Sequence, residues 1–448
     1  MKRTLYADLL TWKSHPTHSP LLIRGARQVG KSHLVQTFGT NEFREILTIN
    51  FEKEPRFESS FESFNPTDII NRLYLQTGKR VEPGKDLLFL DEIQECPNAL
   101  AALRYFKEDL PELHVIATGS LLEFVLNDEN LRMPVGRVDS LFLKPLSFSE
   151  FLSAIGSEQL NDYLETVTPD KGIEPFIHEE LSQCLREYFF IGGMPAIIQE
   201  YLLTKNLQQV QLKQTSLMAT LRQDFSKYAT KANHRYMQKI LEVSPGMIGQ
   251  HFVYNRIDPE MRSREIKHAL GYLLEAGLVH KVHRCSASGL PLNAFLNEKV
   301  FKIIFMDLGL SNAMSFLSPD LLLQKDLILI NRGMQAEQFV GQELLANAPV
   351  YTPGQLYYWD REQPSSTAEV DYLIQVDEAI IPIEVKAGKT GSLRSLQLFL
   401  NEKSCPFGIR LSMKPLSFEQ RVLSIPLYMI QHIPQLVRNL SSAIPESL

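Results

Sequence analysis

The sequence predicts an α/β protein. A parallel-sheet core stands in front, followed by a mostly helical stretch, a small helix–strand module and a second α/β unit. Three observations carry this. Between residues 20 and 145 short apolar runs alternate with helical patterns, which argues for parallel βα units. Residues 146–240 read as mostly helical. From about Phe301 the pattern turns to strand, helix, strand pair, helix, strand. At 448 residues the chain exceeds one ordinary core, so two to four domains are expected. The division read here is 1–155, 156–234, 235–295 and 296–448.

In the front section the expected strands are "PLLIRG", "EILTINF", "DLLFLDE", "LHVIATGS" and "SLFLKPLS". Helical spacing then runs through "HEELSQCLREYFF" and "NLQQVQLKQTSLMATLRQDFSKY", broken by the glycine pair and Pro195 of "IGGMP". Residues 235–284 suggest short helices followed by the strand "GLVHKVHR", the order of a winged helix. The pentapeptide KPLSF occurs at Lys144 and again at Lys414, and Ser147 and Ser417 are each expected to cap a helix.

Composition narrows the class. A hydrophobic fraction of 44% and a charged fraction of 22% are those of an ordinary globular protein. The net charge of −6 gives no global attraction to nucleic acid, so such binding needs a local basic patch. Cys96, Cys184, Cys285 and Cys405 stand far apart, with no zinc spacing and no disulfide pattern, so a reducing cytoplasm is expected. No apolar run follows Lys2 and Arg3, so no signal peptide is expected. No window of ~18 apolar residues calls for a membrane span.

"GARQVGKS", Gly25 to Ser32, fits G-x-x-x-x-G-K-[ST] between a strand-like and a helix-like segment. Gly25 and Gly30 permit backbone angles and close approaches that a side chain would block. The N–H groups of Ala26, Arg27, Gln28, Val29 and the residues through His33 then face bound phosphates at a helix N-terminus. Lys31 is placed for the β- and γ-phosphates, and Ser32 for Mg²⁺. "DLLFLDEIQ" supplies Asp91 for the same ion and Glu92 to polarise water. "HVIATGS" ends in Thr118 and Ser120, which either sense the γ-phosphate or simply form a turn. Arg137 either supplies charge to the transition state, in its own subunit or another, or is a plain surface arginine.

"EMRSREIKHALGYLLEAGLVHKVHR" places Arg262, Arg264, Lys267 and His268 early on a helix, and Lys281, His283 and Arg284 on a strand. From Arg235 to Arg284 eight Lys/Arg face five Asp/Glu, a net of +3. That modest charge leaves DNA contact and plain packing both open.

The stretch "AEVDYLIQVDEAIIPIEVKAGK" reads as a hairpin. Residues two apart share a strand face, so Glu384 and Lys386 point together while Val385 faces a core. The short "QVDEA" turn brings Asp371 alongside, and the amphipathic "RGMQAEQFVGQELLA" carries Glu337. Burying unpaired acids in so apolar a strand is costly, so they hold a metal or pair with each other's neighbours. Glu337, Asp371 and Glu384 suit a hard cation, Mg²⁺ or Mn²⁺, with Lys386 beside it to orient water. Glu369 lies near this face. Thr390, Ser392, Arg394 and Gln397 open the next helix.

Together these stretches resemble bacterial and archaeal AAA-type P-loop ATPases that carry a C-terminal domain of unknown function with a restriction-endonuclease-like fold. The matching segments, from "LLIRGARQVGKSHLV" through "LLFLDEIQ", "ATGSLLEF", "GRVDSLFLKPLSFSEF", "FFIGGMPAII" and "FMDLGL" to "EVDYLI…IPIEVKAGK", keep family order. The resemblance implies ATP binding with Lys31, Ser32, Asp91 and Glu92, and less directly roles for Ser120, Thr118 and Arg137. It also implies a helical lid over 156–234. The function expected is ATP hydrolysis that drives or gates a nuclease-like domain, with DNA as a candidate partner. The alternative is a nucleotide-dependent switch whose C-terminal domain only binds DNA or a protein partner. Monomer and homo-oligomer are both open.

Overall fold

The structure, a computed structural model, describes residues 1–120, 122–126, 136–227, 231–315, 332–363, 366–386 and 392–443. The chain forms two compact units. One is Met1–Lys144 with Glu275–Gly277 and Pro349–Pro353; the other is Pro145–Leu274, Leu278–Ala348 and Gly354–Leu448.

In the first unit the five apolar runs are strands: β1 (Leu21–Arg24), β2 (Ile46–Asn50), β3 (Leu87–Asp91), β4 (His114–Thr118) and β5 (Asp139–Phe142). All pair in parallel in the order β2-β3-β4-β1-β5. β3 and β4 are buried along their whole length, as strands covered on both faces must be. Apolar side chains from Leu22, Ile49, Leu88, Leu90, Val115 and Phe106 form the core. Register fixes what lies at the C-terminal edge: Ile23 pairs with Thr118, Leu90 with Ala117 and Asn50 with Asp91. Open parallel sheets bind ligands at this edge.

The second unit begins with helices. Phe148–Ala154, Glu158–Glu165, Pro175–Ile191, Pro195–Thr204, Leu207–Gln223 and Lys231–Val243 follow one another, as the periodicity predicts. An eight-stranded mixed sheet follows: β6 (Val279–Cys285), β7 (Leu296–Phe305), β8 (Leu356–Asp360), β9 (Glu369–Val376), β10 (Ala379–Val385), β11 (Gly408–Ser412), β12 (Ser417–Glu419) and β13 (Val422–Pro426). Its order is β12-β13-β11-β10-β9-β8-β6-β7.

Two expectations are corrected here. The boundary expected at 295/296 falls inside an antiparallel pair, because β6 binds β7 on one side and β8 on the other. The strand expected as a wing is thus an interior strand of the C-terminal sheet. Ser417 caps no helix; it begins β12. Ser147 does cap one, through a capping box with Glu150. Gln420 and the next residue, Arg421, take left-handed backbone angles that turn β12 into β13.

Among the described residues no helix is long and apolar enough to cross a membrane.

Candidate functional site

β1 runs straight into the glycine-rich loop. Gly25 has φ +139°, and a Cβ there would stand 2.1 Å from the Leu143 carbonyl oxygen. Gly30, φ +98°, is the N-cap of the helix Lys31–Glu42. Gln28 also has a positive φ, +68°. These angles curl successive N–H groups toward one concave side, the geometry that accepts phosphate oxygens. Val29 is buried, and its carbonyl accepts from Arg3 at 2.9 Å, which fixes the base of the loop. Ala26 is buried, Arg27 is half-buried and His33 faces solvent.

Lys31 is buried and folds back on its own loop, donating to the carbonyls of Gly25 and Ala26 at 2.8 Å each. Burial pushes its pKa down to about 8, against the pull of Glu92 and Asp91. Asp91 is the hub. Its Oδ1 accepts from Ser32 Oγ at 2.8 Å and from Thr118 Oγ1, and its Oδ2 from Asn50 Nδ2 at 2.8 Å. Glu92 sits one residue on with φ +52°. Its Oε2 accepts from Gln94 Nε2 at 2.7 Å, Ser120 Oγ at 3.0 Å and Ser120 N at 3.3 Å. The loop, both acids, Thr118 and Ser120 therefore share one sheet edge. A side chain at Gly25 would collide with the Leu143 carbonyl and displace the loop, and Ser32 and Asp91 offer adjacent hard oxygens. These residues fit a nucleotide phosphate chain with Mg²⁺.

Arg137 does not join them. It precedes β5, whose parallel pairing with β1 puts it at the opposite, N-terminal edge, where Asp139 N donates to Pro20 O. There its Nε donates to Glu108 Oε1 at 2.9 Å, at the last turn of the helix Pro97–Asp109. Within its own subunit strand direction thus sets Arg137 apart from the loop, and of the readings left open this position accords with the plain surface arginine.

The second unit brings the other predicted acids together. Glu384 lies one register step beyond the Ile383–Tyr372 pair, opposite Asp371. Asp371 Oδ2 accepts from Val385 N at 2.7 Å. Glu384 is 5% exposed; its Oε1 takes Lys386 Nζ at 2.5 Å, while its Oε2 is buried with no hydrogen-bond partner among the described residues. Glu337 comes from the helix Arg332–Ala346, near Lys302 Nζ at 3.7 Å. Burial raises the pKa of Glu337, Asp371 and Glu384. For Glu337 and Glu384 the charge of Asp371 adds to the rise, and for Asp371 the charge of Lys302 opposes it. Val385 is buried, as expected. Among the described residues no three His, Cys, Asp or Glu side chains form a group able to hold a metal ion. Ser392 Oγ accepts from Arg394 N at 3.3 Å within its own turn, and Gln397 Nε2 donates to Gln420 O, in the turn between β12 and β13, at 3.4 Å. Thr390 lies outside the described residues.

Arg262, Arg264, Lys267 and His268 are exposed at the start of the helix Ser263–Glu275. Lys281 lies over the Phe301 ring, His283 is half-buried, and Arg284 is bound to Asp360.

Four participants were not expected from the sequence. Asn50 ends a strand and Gln94 sits in "DEIQ", where neither residue type is diagnostic. His251, 3.3 Å from Asp360 and 3.6 Å from Glu369, lies in a loop. Lys302 had a signal: a lysine in the apolar run "VFKIIF" is as anomalous as Glu384 in "IIPIEV".

Residues 17–152 match the model of a family described as an AAA domain. The front of the chain is an AAA-type P-loop ATPase domain. Residues 182–321 and 332–429 match two domains of unknown function, DUF8612 and DUF4143. Solved structures similar to the chain include a Walker-type ATPase of Pyrococcus abyssi, at TM-score 0.44 and 15% identity, covering 70% of this chain and 95% of that one. The ORC1 protein of Aeropyrum pernix in complex with DNA gives 0.28 and 14%, covering 70% and 93%. The RuvB branch migration motor of Thermotoga maritima gives 0.28 and 16%, covering 62% and 87%. No curated protein matches the chain.

Proposed function

We propose that the first unit hydrolyses ATP and that nucleotide state controls a DNA-acting centre in the second unit. The observation that carries the ATPase reading is the hub at Asp91. One carboxylate gathers the loop serine, the end of β2 and the end of β4, with a second carboxylate poised beside it. Bound Mg²⁺, held by Ser32 and Asp91, would neutralise charge on the phosphate oxygens. Lys31 leaves the carbonyls of Gly25 and Ala26 to take the β- and γ-phosphates. Every hydrogen bond described for the Glu92 carboxylate falls on Oε2. That leaves Oε1 to take the proton of the attacking water, while Ser120 and Gln94 fix the group's orientation.

Glu337, Asp371, Glu384 and Lys386 support a metal-dependent nuclease reading of a restriction-endonuclease-like second unit. Glu384 Oε2, buried and without a partner, is the feature that favours it. The exposed Arg262, Arg264, Lys267 and His268 are the surface we assign to DNA. The rival is a switch in which the same unit binds DNA or a protein without cutting.

The test is incubation of the full chain with single- and double-stranded DNA, Mg²⁺ or Mn²⁺, and ATP, beside Asp371→Ala and Lys31→Ala. Cleavage that Asp371→Ala abolishes supports the nuclease. Phosphate release without cleavage under any of these conditions favours the switch.

A further inference from the structure

We propose that Lys302 is a tethered cation that fills the Glu337–Glu369 half of the carboxylate centre, taking the place a divalent ion would otherwise take there. The inference deepens the metal-centre reading above, and rests on it for the identity of the centre alone.

Lys302 stands in β7 with 2% of its surface exposed. A lysine so buried keeps its charge only among anions. Its Nζ is bound to Glu369 Oε1 and lies 3.7 Å from Glu337 Oε2. The same ammonium lies 4.9 Å from the centroid of the Tyr358 ring, whose electron-rich face favours a cation. Two carboxylates and an aromatic ring thus enclose one positive charge, supplied by the chain itself.

The remaining charges divide differently. Lys386 satisfies one oxygen of Glu384, and the Val385 N–H satisfies one oxygen of Asp371. Glu384 Oε2 is left buried and without a partner. The centre therefore has a half closed by Lys302 and a half with an open oxygen. This explains why the three acids expected as a joint metal cage form no such group: Glu337 is turned to the ammonium. Of the three, Asp371 and Glu384 stay available to an external ion, and Glu369, bound to Lys302 and near His251, is not a ligand.

The experiment is Mn²⁺ binding to the full chain without nucleotide, read by calorimetry and by the electron paramagnetic resonance of free Mn²⁺. Wild type, Lys302→Met and Glu369→Gln are compared, each with and without Glu384→Gln to isolate this centre. Lys302→Met is expected to bind one further Mn²⁺, or to bind Mn²⁺ about ten-fold more tightly. Equal stoichiometry and affinity in wild type and Lys302→Met overturn the inference. Removing a buried cation threatens folding, so Glu369→Gln, at a partly exposed carboxylate, gives a second reading. It is expected to leave Glu384-dependent Mn²⁺ affinity unchanged; a loss of about ten-fold makes Glu369 a ligand and overturns the inference. A wild-type chain whose Mn²⁺ binding does not depend on Glu384 defeats the metal-dependent nuclease. A gain of Mn²⁺ in Lys302→Met still upholds the role of Lys302, so the two failures are distinct.

Discussion

Glu92 leaves β3 in a left-handed backbone conformation, φ +52°, that a residue with a β-carbon adopts only under constraint. The Gln94 amide and the Ser120 hydroxyl and N–H supply that constraint by holding one carboxylate oxygen. The two neighbouring acids divide the task, Asp91 organising the loop and Glu92 handling a proton. Glu92→Gln keeps the side chain's size and removes its basicity. It should bind ATP as the wild type does and release phosphate roughly 100-fold more slowly. Equilibrium titration with labelled nucleotide and a steady-state phosphate assay measure the two effects. Equal phosphate release by the variant would remove Glu92 from the chemistry. At this scale the sequence was legible wherever spacing implies chemistry. G-x-x-x-x-G-K-S before a helix and two acids after an apolar run needed no coordinates. Asn50 and Gln94 stayed hidden because their roles depend on register and on a turn, not on residue type. For Arg137 the sequence left a catalytic role and a plain surface role both open, because residue type cannot say to which end of a parallel strand a flanking residue belongs.

At the scale of elements, the two KPLSF copies show how little a pentapeptide fixes. Ser147 accepts from Glu150 N at 3.3 Å, and Glu150 Oε2 accepts from Ser147 N at 3.2 Å, a reciprocal pair that starts the helix Phe148–Ala154. The second copy has Gln420 in the glutamate's place and becomes a hairpin. Ser147→Ala should cost about 1 kcal/mol of stability in the second unit, read as a lower denaturant midpoint. Nearby, the helix Arg332–Ala346 carries Glu343, 2% exposed, whose Oε1 accepts from Phe148 N at 2.9 Å. Burial pushes its pKa up to about 8, and the charge of Glu150 adds to the rise. The unfolded chain titrates this group near ~4.3. Folding therefore favours the protonated form; that contribution is complete below about pH 4.3 and is lost as pH rises through about 8. Between about pH 5 and about pH 8 the wild type should lose Tm more steeply than Glu343→Gln, which carries no such proton. Parallel curves in differential scanning calorimetry would contradict this. Strand signals were legible where apolar runs were continuous. They failed at β8, β12 and β13, because "LYYWD", "SFE" and "VLSIP" are too short or too mixed for periodicity to separate from loop.

For the whole molecule, the alternation of apolar runs and helical patterns over residues 20–145 is the parallel sheet of the first unit, since local βα repeats determine it. Sequence pattern did not reveal that residues read as a separate module share one sheet with the C-terminal strands. β6 and β8 are parallel neighbours with more than 70 intervening residues between Arg284 and Leu356, a pairing that no local pattern announces. The central claim is that the glycine-rich loop and Asp91 hold a nucleoside triphosphate with magnesium. The most direct measurement is equilibrium binding of labelled ATP to the full chain with and without Mg²⁺, beside Lys31→Ala. Wild type should show saturable, Mg²⁺-enhanced binding that Lys31→Ala loses. Folded wild-type protein that takes up no nucleotide under these conditions would contradict it.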